Sequence, residues 1–529
     1  MGLDRFSEIL GAKLAGKSAV APDHRVAEVK ASDLADACVW LKDHCAAFLL
    51  DAFALEDYSQ PGNYRVYYTF DLNAGRGGFI TLWARTDAQQ PVYPAVSPHI
   101  HAADWFEREI FELFGVRPAG HPMLGGFIFR EGGEQGLFPL RKNRPNENTS
   151  RLPENRSAAK TSAGIVEGEG VFEMPLGPVY SGVAEAVHFT LSSIGEETLW
   201  VSPRLFYKHR GFEKAAENLS PEQVVLLAER ISGATGVAES LAFCQAVEHL
   251  SGLEIPERAL YLRTVFAELE RIYNHVGSIA DLCESTSLAV GTAQGYILKE
   301  KLLRLNARLT GHRYLMGVNC PGGVRVDLDR EKIGLLRETL KEAGRDFQAW
   351  LKMLLATDSF LDRLEGVGVV APATAGDLSA TGPVGRASGV DRDFRRDHPY
   401  AAYSRAQFAV PVCTEGDCLA RMKVRQAEVE QSLAIIEQLL PELPAGAPAN
   451  NARPELPAGG SACGYSEGPR GGTLHWVFAG EDGLLWRWRV RPPSLVNWHA
   501  YPVGTEGCAF QDFPIILASF GLSPAECDR

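Results

Sequence analysis

The hydrophobic pattern of the chain changes its period once. Between residues 62 and 86, apolar and polar positions alternate in two runs, YRVYYTFDL and GFITLWART, joined by the glycine-rich NAGRGG. Alternation broken by a turn of that chemistry predicts a β-hairpin. Downstream, Trp105, Phe106, Ile110, Leu113 and Phe114 recur at helical spacing between Asp104 and Gly115. A short amphipathic helix is expected there, capped by Asp104 and stopped by Gly115. Residues 142–167, KNRPNENTSRLPENRSAAKTSAGIVE, are polar and carry no period, which marks a connection. The expected boundaries are a first domain over 1–145, a linker over 146–168 and a second domain over 169–529.

Beyond the linker the period becomes helical. Ser220 followed by Pro221 and Glu222 opens one helix, and Pro256 with Glu257 opens another, because proline is pre-set for the first helical turn. Two more are expected over 329–363 and 416–441, with apolar residues every three or four positions. Leu262, Val265, Phe266, Leu269, Ile272, Val276 and Ile279 form a stripe that reads as core packing. The Pro-, Ala- and Gly-rich stretch 444–460 should loop out before a final strand-like, turn-rich section. No internal repeat is visible. The predicted class is α+β, a small N-terminal α+β domain followed by a large, mainly helical domain with peripheral β structure.

With 45% hydrophobic and 22% charged residues the chain has the balance of an ordinary globular protein. Its formal charge of −13 argues against a nucleic-acid partner, which requires a basic face. Ten cysteines are scattered without the dense, even spacing of a disulfide framework, so a reducing compartment is expected. The opening MGLDRFSEILGAKLAG lacks the charged start and apolar core of a signal peptide. No apolar run reaches the roughly 18 residues that suggest a membrane span. Work at a membrane would therefore mean docking on something embedded in it.

Specific segments carry a resemblance. WFEREIFELFGVRPAGHPMLGGFIFREG followed by FPLRKN resembles the 30 kDa subunit of respiratory complex I, placing Glu107, Glu109, Phe114, Gly115, His121 and Arg141 on family positions. His99, His101 and His121, with Glu107 or Glu109, match no standard zinc spacing, and a structural or interface role is expected. The second part contains LGPVY, KHRGFEK, AVEHLSGLEIPERA, CPGGV, GPVGRASGVDRDFR, GDCLARMKVRQAEVEQS, EGPRGG and WRWRVRPPSLVNW. In this order they resemble the complex I 49 kDa subunit and the [NiFe]-hydrogenase large subunit. The fusion of both parts is most similar to the formate hydrogenlyase-type, membrane-bound group.

In hydrogenases of this family two Cys-x-x-Cys motifs hold nickel. The same register places Ser232 and Thr235 at the first pair and Ser523 and Glu526 at the second, so the resemblance implies that no metal is bound here, since soft thiolates hold such centres. It also implies that Arg470 of EGPRGG faces the same cavity; Tyr180, able to donate a hydrogen bond but at a different place from any family residue, is a further candidate there. The quinone-directed histidine and tyrosine of complex I relatives fall on Ala184 and Gly233. His209, Arg210, Glu213 and Lys214 are expected either to lock a loop by paired hydrogen bonds or to handle protons. Cys244, Cys413, Cys418 and Cys527 are expected to be inert.

The resemblance thus implies a core subunit of a membrane-attached, complex I-like or energy-converting hydrogenase-related oxidoreductase, peripheral on the cytoplasmic side. No cofactor would be bound by this chain, and iron–sulfur clusters would lie in its partners. Expected partners are an iron–sulfur small subunit, a ferredoxin-like iron–sulfur subunit, and antiporter-like and other integral membrane subunits, with no nucleic acid. Electrons would pass toward a quinone-like or other acceptor. The alternatives are a noncatalytic scaffold and a [NiFe] hydrogenase whose ligands lie elsewhere.

Overall fold

The computed structural model describes residues 14–21, 24–72, 78–129, 136–144, 166–180 and 185–529. The expected hairpin forms from Tyr64–Asp71 and Phe79–Thr86, paired from Tyr64 with Thr86 to Asp71 with Phe79; most of its turn and of the expected linker lies outside the described residues. It belongs to a five-stranded sheet in the order 14–21, 24–29, 79–86, 64–71, 48–56. Alternation along these strands divides their side chains between two cores. Val66, Tyr68 and Phe70 pack with Leu34 and Leu41 of the Leu34–Cys45 helix and with Phe106 and Ile110 of the Asp104–Phe114 helix. Phe53, Leu55, Tyr67 and Phe79 instead meet Leu474, Trp476 and Phe478 of the second domain. A sheet buried on both faces explains why Tyr67, Phe79 and Trp83 stand among the polar positions of these strands.

The Asp104–Phe114 helix ends as expected on a left-handed Gly115, φ 72°. Its start differs, because Ala103 occupies the cap position and no side chain caps it. Asp104 lies inside the first turn, where its carboxylate pairs with His121 at 3.2 Å.

In the second domain Ser220 caps the Pro221–Ala228 helix in a reciprocal box with Gln223, and Asp329 and Asp417 cap the Arg330–Leu355 and Cys418–Leu439 helices. The expected 329–363 helix breaks after Leu355, and a separate turn of helix covers Asp358–Leu361. The long Glu257–Ser285 helix carries the stripe from Leu262 to Ile279, and every member of it is buried. The C-terminal section is strand only as far as Arg491. Ser461–Gly468, Gly471–Ala479 and Leu485–Arg491 make an antiparallel sheet, and Pro493–Thr505, Phe513–Phe520 and Pro524–Cys527 are helices. Each of these three has proline in its first turn, where the residue starts a helix instead of breaking one. Among the described residues no helix is long and apolar enough to cross a membrane.

The C-terminal sheet packs against the Gly236–Ser251 helix and, through Trp476 and Phe478, against the first domain. Its approach to that helix is close. A Cβ on Gly464 would lie 2.0 Å from the Ala242 carbonyl oxygen, so only glycine fits.

Candidate functional site

Two short segments build the site, the tight turn 232–235 before the Gly236–Ser251 helix and the C-terminal turn of helix Pro524–Cys527. Arg210 ties them together. Its Nη2 donates to the carbonyls of Ile231 at 2.7 Å and Ala525 at 2.6 Å, and its backbone amide donates to Asp528 O at 2.7 Å. Glu526 is fully buried. Its Oε1 accepts from Arg470 Nη1 at 3.1 Å and from Thr235 Oγ1 at 3.5 Å, and its Oε2 from the Ser494 amide at 3.1 Å. Burial raises this carboxyl above its ordinary range, while the Arg470 charge opposes the rise.

Arg470 sits in the turn between strands Ser461–Gly468 and Gly471–Ala479. Its Nε donates to Gly521 O at 2.8 Å, so the fork spans the helix end before Ser523 and the carboxylate after it. The turn is pinned from behind by Gly382, whose backbone is left-handed at φ 62°. A Cβ there would meet Arg470 O at 2.1 Å.

The structure joins Thr235, Glu526 and Arg470 directly. Ser523 is one step away: its amide donates to Ser494 Oγ at 3.1 Å, and its hydroxyl bonds Glu185 at 3.0 Å rather than Glu526. Glu185 also accepts the Ala525 amide at 2.9 Å. Ser232 is buried in the same turn, but the hydrogen-bond chain runs through Thr235. The Tyr180 hydroxyl donates to Val187 O at 2.8 Å, which commits its proton to the backbone; Ala184 lies outside the described residues. Ser494 and Glu185 are not foreseen from the sequence. Ser494 stands in WRWRVRPPSLVNW, where nothing marks a serine whose amide and hydroxyl both face the site, and Glu185 carries no local signal.

The residues 209–214 do not lock one another as expected. Glu213 accepts the Val490 amide at 3.0 Å and lies 3.5 Å from Arg489 and 3.4 Å from Arg529, while Lys214 pairs with Glu217 at 3.0 Å. Each charge reaches a different element because the loop lies buried between them and the strand Leu485–Arg491. Burial, then Arg529, lowers His209 to about 4, which leaves it neutral at physiological pH.

The WRWR arginines cross to the first domain. Arg489 pairs with Asp51 and Glu109, each at 2.8 Å, Arg491 donates to Leu50 O at 2.6 Å, and Arg487 to Leu140 O. Arg529 completes the junction on Glu109 at 2.6 Å. Glu107 accepts Tyr68 at 2.7 Å and the Val96 amide at 2.6 Å. His101 meets Asp377 of the second domain, and His121 meets Asp104, so these two histidines have separate carboxylate partners. Cys244 and Cys527 are buried, and burial pushes both thiols well up, away from the reactive thiolate.

Residues 27–150 match the family model of the respiratory-chain NADH dehydrogenase 30 Kd subunit, and residues 289–459 and 450–529 that of the 49 Kd subunit. The chain is 31% identical over 508 residues to formate hydrogenlyase subunit 5 of Escherichia coli (strain K12), covering 96% of this chain and 89% of that one. The chain belongs to this family of fused 30/49 kDa-type subunits. Hydrogenase-4 component G of the same organism is 30% identical, with 96% of this chain and 88% of that one covered. The C/D polypeptide of the NADH-quinone oxidoreductase from Rhodopseudomonas palustris (strain BisA53) is 30% identical, with 91% of each chain covered. Within this family, Arg470, Glu526 and Thr235 stand in the part of the chain that resembles the 49 kDa and hydrogenase subunits.

Proposed function

We propose that the chain is the core subunit of a membrane-attached oxidoreductase complex, in which electrons from an iron–sulfur small subunit reach an acceptor at the Thr235–Glu526–Arg470 site. The observation that carries this reading is the buried carboxylate of Glu526 held between a guanidinium, a hydroxyl and a backbone amide. Such a set donates and accepts hydrogen bonds and can exchange a proton with a polar, quinone-like head group. A ferredoxin-like subunit, antiporter-like and other membrane subunits, and coupling to ion translocation complete the proposal.

The nickel centre of hydrogenases does not fit this donor set. Ser232, Thr235 and Ser523 offer hydroxyls, and the Glu526 oxygens are engaged by Arg470, Thr235 and Ser494, whereas nickel in such sites is held by soft thiolates. Purified complex should contain no stoichiometric nickel by elemental analysis and should take up no hydrogen. One nickel per chain would overturn the reading.

A second reading also has an observation behind it, because the Arg470–Glu526 pair at 3.1 Å satisfies both charges within the chain. Electron transfer through the intact complex separates the two. Arg470→Ala and Glu526→Gln should each slow it by at least tenfold if the site is used, and unchanged rates assign the chain a scaffold role.

A further inference from the structure

Behind the Arg470 turn lies a charged core that the proposed site does not use. Arg386 joins three carboxylates, Glu428 at 2.7 Å, Glu467 at 2.8 Å and Asp393 at 3.4 Å. Arg395 bridges Asp393 at 2.7 Å and Glu268 at 3.3 Å, and Arg271 spans Glu268 and Glu428, both at 3.4 Å. All seven groups are buried, none more than 3% exposed. Within ion-pair distance, four carboxylates therefore face three guanidiniums, and a low-dielectric interior opposes the odd negative charge.

The four acids are not equally supported. Glu428 has two guanidiniums and the His275 ring at 2.8 Å. Glu268 has two guanidiniums and the hydroxyls of Tyr403 and Ser432, each at 2.5 Å. Asp393 has two guanidiniums and the Arg395 amide at 2.9 Å. Glu467 has one guanidinium, a long 3.3 Å contact from the Phe394 amide, and the like charge of Asp393 across the shared Arg386. The Tyr400 hydroxyl takes the Glu467 amide and not its carboxyl. Of the flanking cations, Arg425 donates to the carbonyls of Arg421 and Phe520 and Arg491 to those of Leu50 and Gly472, and the remaining Arg491 Nη2 is buried without a hydrogen-bond partner.

Glu467 begins the sequence Glu467-Gly468-Pro469-Arg470, and Arg271 grips that turn through the carbonyls of Glu467 at 2.5 Å and Gly468 at 3.1 Å. The same guanidinium thus touches the network and the backbone that presents Arg470. We propose that this network holds one exchangeable proton, carried on Glu467, and that Glu467 is a positioning residue for Arg470 through the turn they share. The proton comes from solvent and returns to it, and no other bond changes. Burial, then Asp393, lifts Glu467 to about 7, while burial brings His275 down to about 4, so the ring beside Glu428 does not compete for the proton near neutrality.

The link to turnover rests on the proposed function, but the proton itself can be read without turnover. The intact complex, purified through this chain and labelled with carboxyl-¹³C glutamate, is taken across neutral pH in the infrared. A label-sensitive carboxylic-acid C=O band should titrate near neutrality, and Glu467→Gln should remove the intensity of one carboxyl. Absence of any such band in the wild-type complex overturns the proposal without a variant, as does a band undiminished in Glu467→Gln. The positioning role predicts that electron transfer in Glu467→Gln loses its pH step near neutrality. A lost band with an unchanged pH profile overturns that role. If Arg470→Ala and Glu526→Gln leave turnover unaffected, the site reading fails and the infrared result still decides the proton.

Discussion

Glu217 holds three cations with one carboxylate: Lys142 at 3.1 Å, Lys214 at 3.0 Å and Arg487 at 2.5 Å. Burial, then the Arg487 charge, brings the Lys142 ammonium down to about 7. The unfolded chain, with an ordinary lysine at ~10.4, therefore binds more protons than the native one between about pH 7 and about pH 10.4, and stability rises with pH across that window. Below it both states are charged and the cost of burying the cation is present in full. Lys142→Met should raise stability at acidic pH and flatten the rise, because Glu217 keeps two partners. Chemical unfolding midpoints at acidic and alkaline pH check this, and an unchanged slope would reject it. His475 is a second case in which geometry fixes chemistry. The Trp488 indole N–H can only donate, and it donates to Nδ1 at 3.2 Å, so Nε2 carries the proton that faces Glu239 at 2.7 Å. His475→Leu leaves the Trp488 N–H without its acceptor and Glu239 with the Thr473 hydroxyl alone, and should cost about 1–3 kcal/mol in the unfolding free energy, the range for a buried polar group left unpaired.

At the scale of elements, Arg470 is placed by a turn that glycine makes possible. Gly382→Ala puts a methyl group within 2.1 Å of Arg470 O and must displace the turn or the helix Gly382–Ala387. It should weaken electron transfer as Arg470→Ala does and also lower the unfolding midpoint, because the atom it meets is backbone and the residue is left-handed. A large stability loss with normal turnover would show that the turn does not set the guanidinium. The long helices were legible because an apolar stripe leaves one physical choice, and their caps at Ser220, Asp329 and Asp417 were visible as residue types. The last three helices were not, since prolines and short apolar runs mark turns as readily as helix starts. At the site, Arg470 was singled out through the family resemblance of EGPRGG, whereas Ser494 and Glu185 act through contacts with residues far away in sequence. No local pattern encodes such a partner.

Across the whole molecule, the arginines of the strand Leu485–Arg491 show why charge patterning misleads. Read along the chain, WRWRVR alternates like a half-exposed strand, yet Arg487, Arg489 and Arg491 are all buried. Their partners Asp51 and Glu109, and the Leu50 and Leu140 carbonyls, lie in the first domain. Phe53, Tyr67 and Phe79 bury against Trp476 and Phe478 around them. The domains therefore share a core and an ion cluster, and the covalent connection over 146–168 is not needed to hold them. A protease site inserted in that segment, then cleaved, should leave two fragments that co-elute at moderate salt and unfold in one transition, since buried pairs are weakly screened. Fragments that separate without denaturant would refute this. Arg489→Met should loosen the same junction, because it leaves Asp51 without a guanidinium and Glu109 with Arg529 alone, at a cost of about 3–5 kcal/mol. Adding Asp51→Asn should recover part of that loss, because the stranded charge and not the missing arginine is then removed. A double variant no more stable than Arg489→Met would place the cost in packing against Phe53 and Phe106 instead.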